Sequence, residues 1–414
     1  MASSSGINDS EPEESRAHAI IVGAGIAGLS TAFWLSKLGM SATILEYADA
    51  IAPRGHVIHI YGPGLRTLKR MNLNLTSVPF KHSNSVIKDG HGKEILRLPY
   101  RKIYGLVDAV ATSRGDLALA LAAALPNNAT IRFGARLDTV HENGNKVSVV
   151  LEGGETIEGD LLIGADGANS TIRDTYWEGE KYLEDLGYWF ATYDVAMDHS
   201  LDSYCQTYSA SGHMDVLHAP KTDRVAAVHI WRDGHTKTIS PTDLKYDVLR
   251  DVTSKKSPVV WDVLHAAEKA GSIPIVNRMR MVTLNKWSKN RVLLMGDAAH
   301  CLTPLSSQGA GMAIASAELL ARELSNMVIV EGTTVEDALE RWEKKLRPSI
   351  ERLQWRVRIA APKFLARNKI TFGVRTMLTK VMGVEMLADW QALGIEMELK
   401  LVDFLDAQDV ARPV

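Results

Sequence analysis

The sequence places glycines at positions 23, 25 and 28, directly after an apolar run (19–22) and at the head of a helical pattern that reaches about Leu38. Each position has a physical purpose. Gly23 permits the tight strand-to-helix turn, Gly25 lets backbone approach a pyrophosphate, and Gly28 lets helix and strand pack closely. Free N–H groups at the helix start make the turn an anion site. Gly39 ends the helix, a second apolar run covers 42–45, and Glu46 stands eighteen residues beyond Gly28. A carboxylate there can take the ribose hydroxyls of an adenosine dinucleotide. Strand, helix and acid in that order favour a dinucleotide over a chance glycine turn.

Further along, residues 47–64 form a Gly- and Pro-rich loop and a short alternating run, so backbone passes close to a ligand at Arg54 and Gly55, with His56 or His59 within reach. Arg54 also reads as a solvated loop arginine, and His59 as a strand histidine satisfied by its neighbours. Ser113 is a predicted N-cap for a helix to about Leu125. Arg114 beside it is unfavourable at a helix N-terminus unless an anion, such as a bound phosphate, offsets it. Asp166 and Gly167 follow a buried-type strand at 161–163, and Gly296 and Asp297 follow another at 291–295. The Asp297 carboxylate can accept hydrogen bonds from sugar-like hydroxyls. Gly309 and Ala310 open a helix to about Leu324 whose N-terminus, free of large side chains, can sit against a planar electron-accepting ring and stabilise negative charge on it. His300 and Cys301 are expected to be a buried structural pair, since nothing else resembles a cysteine-nucleophile site.

The elements that must carry these residues follow from pattern. Short strands at 131–133, 137–141, 146–151 and 161–163, punctuated by Asn143-Gly144 and Gly153-Gly154, read as a meander. Residues 182–231 are strand-like and rich in aromatics and histidines; a sheet of this kind can wall a pocket for an apolar molecule, although most of its aromatics are expected to be ordinary core. Residues 247–270 read as helix broken at Pro258. From Val335 on, helix is predicted with interruptions at Pro348 and Pro362. Its last stretch mixes apolar residues with Lys363, Arg367, Lys369, Arg375 and Lys380. Such a segment can lie on a membrane surface, but a solvated face on a helix packed across the domain interface is the favoured reading.

With 414 residues, 46% of them hydrophobic, the chain is long enough for two or three domains and a large core. A net charge of −2 argues against a nucleic-acid binder. The two cysteines, Cys205 and Cys301, give neither a disulfide framework nor a zinc site, so no metal and a reducing, cytoplasmic setting are expected. No run has the length of a membrane span. The first residues lack a basic start and an apolar stretch, so they are expected to be a disordered tail rather than a secretory signal.

With the motifs in order, the chain resembles the single-component (class A) FAD-dependent monooxygenases over roughly residues 18–350. These are aromatic-hydroxylase-like flavoproteins that include tetracycline-modifying and fungal secondary-metabolism enzymes. The family's first motif is Gly23-x-Gly25-x-x-Gly28 with Glu46 as ribose acceptor. Its second, Asp-Gly-x-x-Ser-x-x-Arg, is matched by Asp166, Gly167, Ser170 and Arg173, and in the family supports both FAD and passing NAD(P)H. Its third is matched by Gly296, Asp297, Ala298, Ala299, His300 and Pro304, with Asp297 on the FAD ribityl chain. Arg114 falls where the family places an arginine near FAD, and the backbone at Gly309 and Ala310 would serve the flavin end. The chain departs at Ser307 and Gly311, where the family commonly has glycine and asparagine, and at His59, where a subgroup has aspartate.

The resemblance implies an α/β fold: a Rossmann-like FAD domain with β-meander over 18–180 and 275–350, an inserted antiparallel-sheet substrate domain over 181–274, a C-terminal helical segment over 351–414, and a tail over 1–17. The absence of a second GxGxxG unit fits NAD(P)H as a transient co-substrate. The implied reaction takes O2 through a flavin C4a-(hydro)peroxide into a lipophilic, secondary-metabolite-like substrate by hydroxylation, epoxidation or Baeyer–Villiger insertion. His59 is the nominated catalytic residue. The alternatives are an FAD-bound cyclase or isomerase acting without net redox, motivated by Ser307, Gly311 and His59, or a flavin oxidase or dehydrogenase.

Overall fold

The apolar runs near residues 20, 43 and 162 lack polar alternation, which marks strands covered on both faces. The computed structural model describes residues 17–52, 55–73, 75, 82–105, 107–179, 181–234, 245–253, 257–329, 334–402 and 404–405. Most of the predicted tail, and Arg54, lie outside them. The three runs pair side by side in a six-stranded sheet with the order Ser288–Lys289, Val292–Leu294, Leu161–Gly164, His18–Val22, Ser41–Leu45, Ala129–Arg132. All neighbours are parallel except the Ser288–Lys289 edge pair. The register sets Val22 beside both Leu45 and Gly164, and Gly164 beside Leu294. The carboxyl ends of four strands therefore coincide, and Gly23, Glu46, Asp166 and Gly296 follow them directly. The helices Ile26–Lys37 and Gly309–Ile329 share the buried core of this sheet with Trp177, Trp287 and Trp342.

The meander is an antiparallel sheet of Leu137–Asn143, Lys146–Leu151 and Thr156–Gly159, its first turn spanning Gly144 and Asn145 between paired Asn143 and Lys146. A seven-stranded sheet forms the second large layer, in the order Ile275–Val282, Leu183–Ala196, Arg224–Arg232, His213–Lys221, Cys205–Ala210, Asn84–Asp89, Glu94–Pro99. Its last two strands come from within the stretch expected to belong to the first domain. Alternation splits its side chains. Tyr193, Leu217, Ala227 and Trp231 pack under the helices Lys245–Val252 and Pro258–Lys269, with Pro258 opening the second helix, where a missing N–H costs nothing. Ala226, Cys205 and Val216 turn to the other face, toward the two-stranded antiparallel sheet of Val57–Tyr61 with Ala109–Ser113.

The C-terminal helix Val335–Phe364, started by a Thr334–Asp337 capping box, runs straight through Pro348 and Pro362, contrary to the sequence expectation. Both prolines are exposed, so each carbonyl they leave unpaired meets water, while Leu346, Ile350, Leu353, Val357 and Ala361 anchor the opposite face. The helix Lys369–Val402 follows, with non-helical backbone at Gly383 (φ 72°). No helix of the described residues is long and apolar enough to cross a membrane.

Candidate active site

The three glycines divide their work as the spacing requires. Gly23 has φ +104°, and a Cβ there would stand 2.6 Å from the Ala165 carbonyl oxygen. At Gly28 a Cβ would meet the Gly23 oxygen at 2.0 Å. Gly25, the helix N-cap, would meet nothing within 4 Å. The fold thus demands glycine at 23 and 28, while at 25 it leaves a hollow over the helix N-terminus that a side chain would fill. Glu46 reaches that hollow from the next strand: its Oε2 accepts from the Ala24 N–H at 2.8 Å and its Oε1 from the Ala48 N–H at 3.0 Å.

Asp166 accepts from the Thr171 N–H at 2.8 Å and from its hydroxyl at 3.0 Å through Oδ2, while its Oδ1 is buried without a hydrogen-bond partner. Arg173 is 1% exposed and its guanidinium donates to the Ala168 carbonyl at 2.8 Å and the Ala298 carbonyl at 3.2 Å, with Tyr182 stacked over it. It ties the 166–170 loop to the Gly296–Asp297 loop. Gly296 has φ +59°, and a Cβ there would meet Ala27 of the first helix at 2.8 Å. Asp297 lies deep enough that burial raises its carboxyl pKa, with Arg114 opposing the rise, yet its side chain is exposed. A group both deep and accessible lines a cleft. Arg114 shares that cleft; its N–H donates to the His56 carbonyl at 3.0 Å, and Gly55 (φ +140°) passes with room for no side chain, since its Cβ would lie 3.1 Å from Arg114 Cβ. The N-terminus of the Gly309–Ile329 helix closes the cleft beside Asp297, whose Oδ1 is 4.0 Å from a Cβ placed on Gly309, and Ala310 is half-buried there. An open cradle over a helix N-terminus, an unpartnered buried carboxylate oxygen and an acid–arginine pair along one cleft fit FAD.

The two departures near the flavin end have structural accounts. Ser307 has φ +54°, so the backbone keeps the left-handed turn that glycine favours. At position 311 the chain crosses the Gly62–Arg70 helix: a Cβ on Gly64 would stand 2.5 Å from Gly311 Cα. Paired glycines let the two helices touch. His300 is buried against Trp287 (ring centroids 4.9 Å), and burial lowers it to about 4. Burial and the neighbouring Asp297 push the Cys301 thiol up, which disfavours the thiolate a nucleophile needs.

Beyond the cleft lies a packed cluster of rings that the sequence reading did not bring together. His59 faces the seven-stranded sheet and stacks on Tyr104 (5.7 Å, 11°) and Tyr100 (6.0 Å, 25°), with Tyr204 edge-on at 6.1 Å and His218 at 6.3 Å. Burial lowers His59 to about 3 and His218 to about 4, and raises the Tyr100 and Tyr204 hydroxyls. The Nδ1 of His218 is buried without a hydrogen-bond partner. His56, lowered to about 4 by burial and then by the charges of Arg114 and His218, stands between the cleft and this cluster. On the far face of the same sheet, His213 and His229 both bond Asp215 Oδ1, at 2.7 and 2.6 Å, and His229 bonds the Tyr193 hydroxyl at 3.0 Å. This trio, of ligand types a metal could use, is buried under the helices away from the cleft.

The profile of a family described as FAD binding domain matches residues 16–356. The FAD-dependent monooxygenase asL4 of Sarocladium schorii is 26% identical over 329 residues, 74% of this chain and 75% of that protein. The 6-hydroxynicotinate 3-monooxygenase of Bordetella bronchiseptica is 27% identical over 338 residues, 77% of this chain and 83% of that protein. Among solved structures, the tetracycline destructase Tet(51) superposes with a TM-score of 0.76 at 22% identity, covering 94% of this chain and 98% of that one. The match along most of its length, on a fold that gathers the three motifs at one sheet end, places the chain in the class A FAD-binding monooxygenases, oxidoreductases that bind FAD and are reduced by NAD(P)H.

Proposed function

We propose that the chain oxygenates a lipophilic, secondary-metabolite-like molecule held against the packed ring cluster of His59, Tyr100, Tyr104, Tyr204 and His218. The carrying observation is the aromatic character of that cluster, whose rings pack on one another with His56 between them and Arg114. Its imidazoles are held far below neutral pH and its phenols above their usual range, so at pH 7 it offers rings and uncharged hydrogen-bonding edges. Such surroundings suit an uncharged aromatic or polycyclic substrate better than a carboxylate. FAD supplies the oxygen-activating redox chemistry when bound. The chain would hold its pyrophosphate at Gly23, Gly25 and Gly28, its ribose at Glu46 and its ribityl chain at Asp297, with Arg114 and the backbone at Gly309 and Ala310 toward the ring. Asp166 and Arg173 would fix the loop between. The cluster positions the substrate and excludes water.

His59, lowered to about 3, is a weak base at neutral pH, so its role is to stack on and orient the substrate rather than to carry a proton. The structural accounts of Ser307 and Gly311 remove the motive for a cyclase working without net redox. The test is NADPH oxidation by purified holoprotein with a panel of lipophilic aromatic compounds, followed by mass spectrometry of products formed under labelled O2. Substrate-stimulated oxidation with one labelled oxygen in the product is expected. Stimulation by carboxylate substrates alone, or turnover without label, would overturn the reading. His59→Phe is expected to raise KM with kcat within about tenfold and no lost limb in the pH profile.

A further inference from the structure

We propose that the first half of the Lys369–Val402 helix docks on an anionic lipid surface. Half of the large exposed apolar side chains among the described residues lie on this one helix. In its first half Ile370, Val374, Met377, Leu378 and Val381 are 55–77% exposed. At 3.6 residues per turn they fall within an arc of about 100°, one continuous stripe. The partly covered positions Phe372, Thr376 and Thr379 lie on the opposite side, so the stripe points away from the protein. An amphipathic helix packed on its own domain has the reverse orientation.

Charge decides what covers the stripe. Lys369 and Lys380 flank it on one edge and Arg375 on the other, with Lys363 and Arg367 just before the helix begins, and no acid occurs from Lys363 to Val384. Arg375 donates to the Phe364 carbonyl at 2.7 Å and so keeps its charge uncompensated. A twofold contact with a second copy would set these cations against each other. A surface of acidic headgroups over hydrocarbon offers both what the stripe and what its flanks need: apolar side chains enter the acyl boundary while lysine and arginine reach the phosphates. Beyond the kink at Gly383 one face turns inward, while Met386, Trp390, Leu393 and Met397 on the other stay 54–68% exposed among acids at 385, 389 and 396. Val384, Leu387 and Ala388 pack on Leu96, Leu98 and Ile103, and Ile395 and Leu399 reach the cluster that holds Tyr61 and Tyr100. The docked segment is therefore continuous with the helix half that packs on that cluster.

The experiment is flotation of full-length holoprotein with vesicles of phosphatidylcholine alone and of phosphatidylcholine with phosphatidylserine, at low and high salt, beside analytical ultracentrifugation without lipid. Binding to the phosphatidylserine vesicles that weakens with salt is expected. Lys369→Glu/Lys380→Glu should reduce that binding about tenfold or more. Val374→Glu/Met377→Glu/Val381→Glu should abolish it, each variant keeping bound FAD and its circular dichroism. A Leu119→Glu control, at an exposed apolar residue elsewhere, should bind like the parent. No binding to either vesicle overturns the proposal. So does equal, salt-insensitive binding to both, and so does a dimer in solution that the triple variant converts to monomer without any vesicle binding.

Discussion

Gly25→Ala and Gly28→Ala add the same methyl group three residues apart and should fail in different ways. At Gly25 the backbone has φ −79° and ψ −178°, which alanine adopts freely, and the added Cβ meets no protein atom within 4 Å. Apoprotein stability should change by no more than about 1 kcal/mol. The methyl group instead occupies the hollow over the helix N-terminus where the pyrophosphate is proposed to bind. Breaking one or two charge-assisted N–H hydrogen bonds to the phosphates, at about 1.5–3 kcal/mol each, raises the FAD Kd by roughly 10- to 100-fold or more. At Gly28 the Cβ lies 2.0 Å from the Gly23 oxygen, more than 1 Å inside normal contact, and both atoms sit on backbone. Helix and strand must separate, at about 3 kcal/mol or more. Urea unfolding of the apoproteins gives the first quantity and flavin-fluorescence titration the second; apoprotein is needed because bound FAD would itself add stability. A Gly25→Ala apoprotein destabilised by about 2 kcal/mol, twice the bound set by the unstrained backbone, would refute the division of labour. So would a Gly25→Ala protein that binds FAD as the parent does, or a Gly28→Ala protein of parental stability.

Asp215 is fully buried; burial would raise its carboxyl pKa, but the charge and hydrogen bonds of His213 and His229 bring it down to about 2. Asp215→Asn should cost about 3–5 kcal/mol in unfolding experiments at neutral pH and leave the FAD Kd of the folded fraction unchanged; a neutral substitution would show that the trio carries no stability. The lowered values of His56, His59 and His218 mean that the unfolded chain takes up these protons first, so stability is complete above about pH 6.5 and falls as pH drops toward 4. By pH 5 the loss is about 2 kcal/mol per imidazole, and His218→Phe should flatten the slope by one such share; equal stability at pH 7.5 and 5 would contradict the burial of the cluster. Ser307→Gly relieves a left-handed serine and should leave stability unchanged or raise it by up to about 1 kcal/mol, with a measurable drop counting against the assigned backbone.

The convergence of the motifs on the proposed FAD cleft was legible because its determinants are local. Gly23, Glu46, Asp166 and Gly296 each stand just past a buried strand, and parallel register then carries them to one place without further information. The ring cluster was not, because it collects residue 59 from the Val57–Tyr61 strand, 100 and 104 from a one-turn helix, 204 from the bend before Cys205–Ala210 and 218 from the His213–Lys221 strand. Which histidine faces inward depends on parity: His213 and Asp215 share the far face, and His218, of opposite parity, turns to the cluster. A one-residue shift in reading that strand would have exchanged them. The prolines at 348 and 362 misled for a related reason, since whether a freed carbonyl meets water depends on which face is covered.

The C-terminal helix shows where composition alone stops. Both halves of Lys369–Val402 carry an exposed apolar stripe, and the sequence reading of a helix packed across the interface describes only one face of the second, where Met386, Trp390, Leu393 and Met397 remain exposed. Val384, Leu387, Ile395 and Leu399 find partners, Lys102 pairs with Glu385, and Gly62, at φ +63°, leaves no room beneath Leu399 for a side chain of its own. Among the described residues, Ile370, Val374 and Val381 of the first half stay 55–77% exposed. What separates the halves in the sequence is charge: cations alone before Gly383, and Glu385, Asp389 and Glu396 after it. A helix that changes both its exposed face and its charge at a glycine with left-handed φ is built to meet two different surroundings. Because Ile395 and Leu399 of the second half pack on the cluster that holds Tyr61 and Tyr100, whatever holds the first half is joined by one chain segment to that cluster.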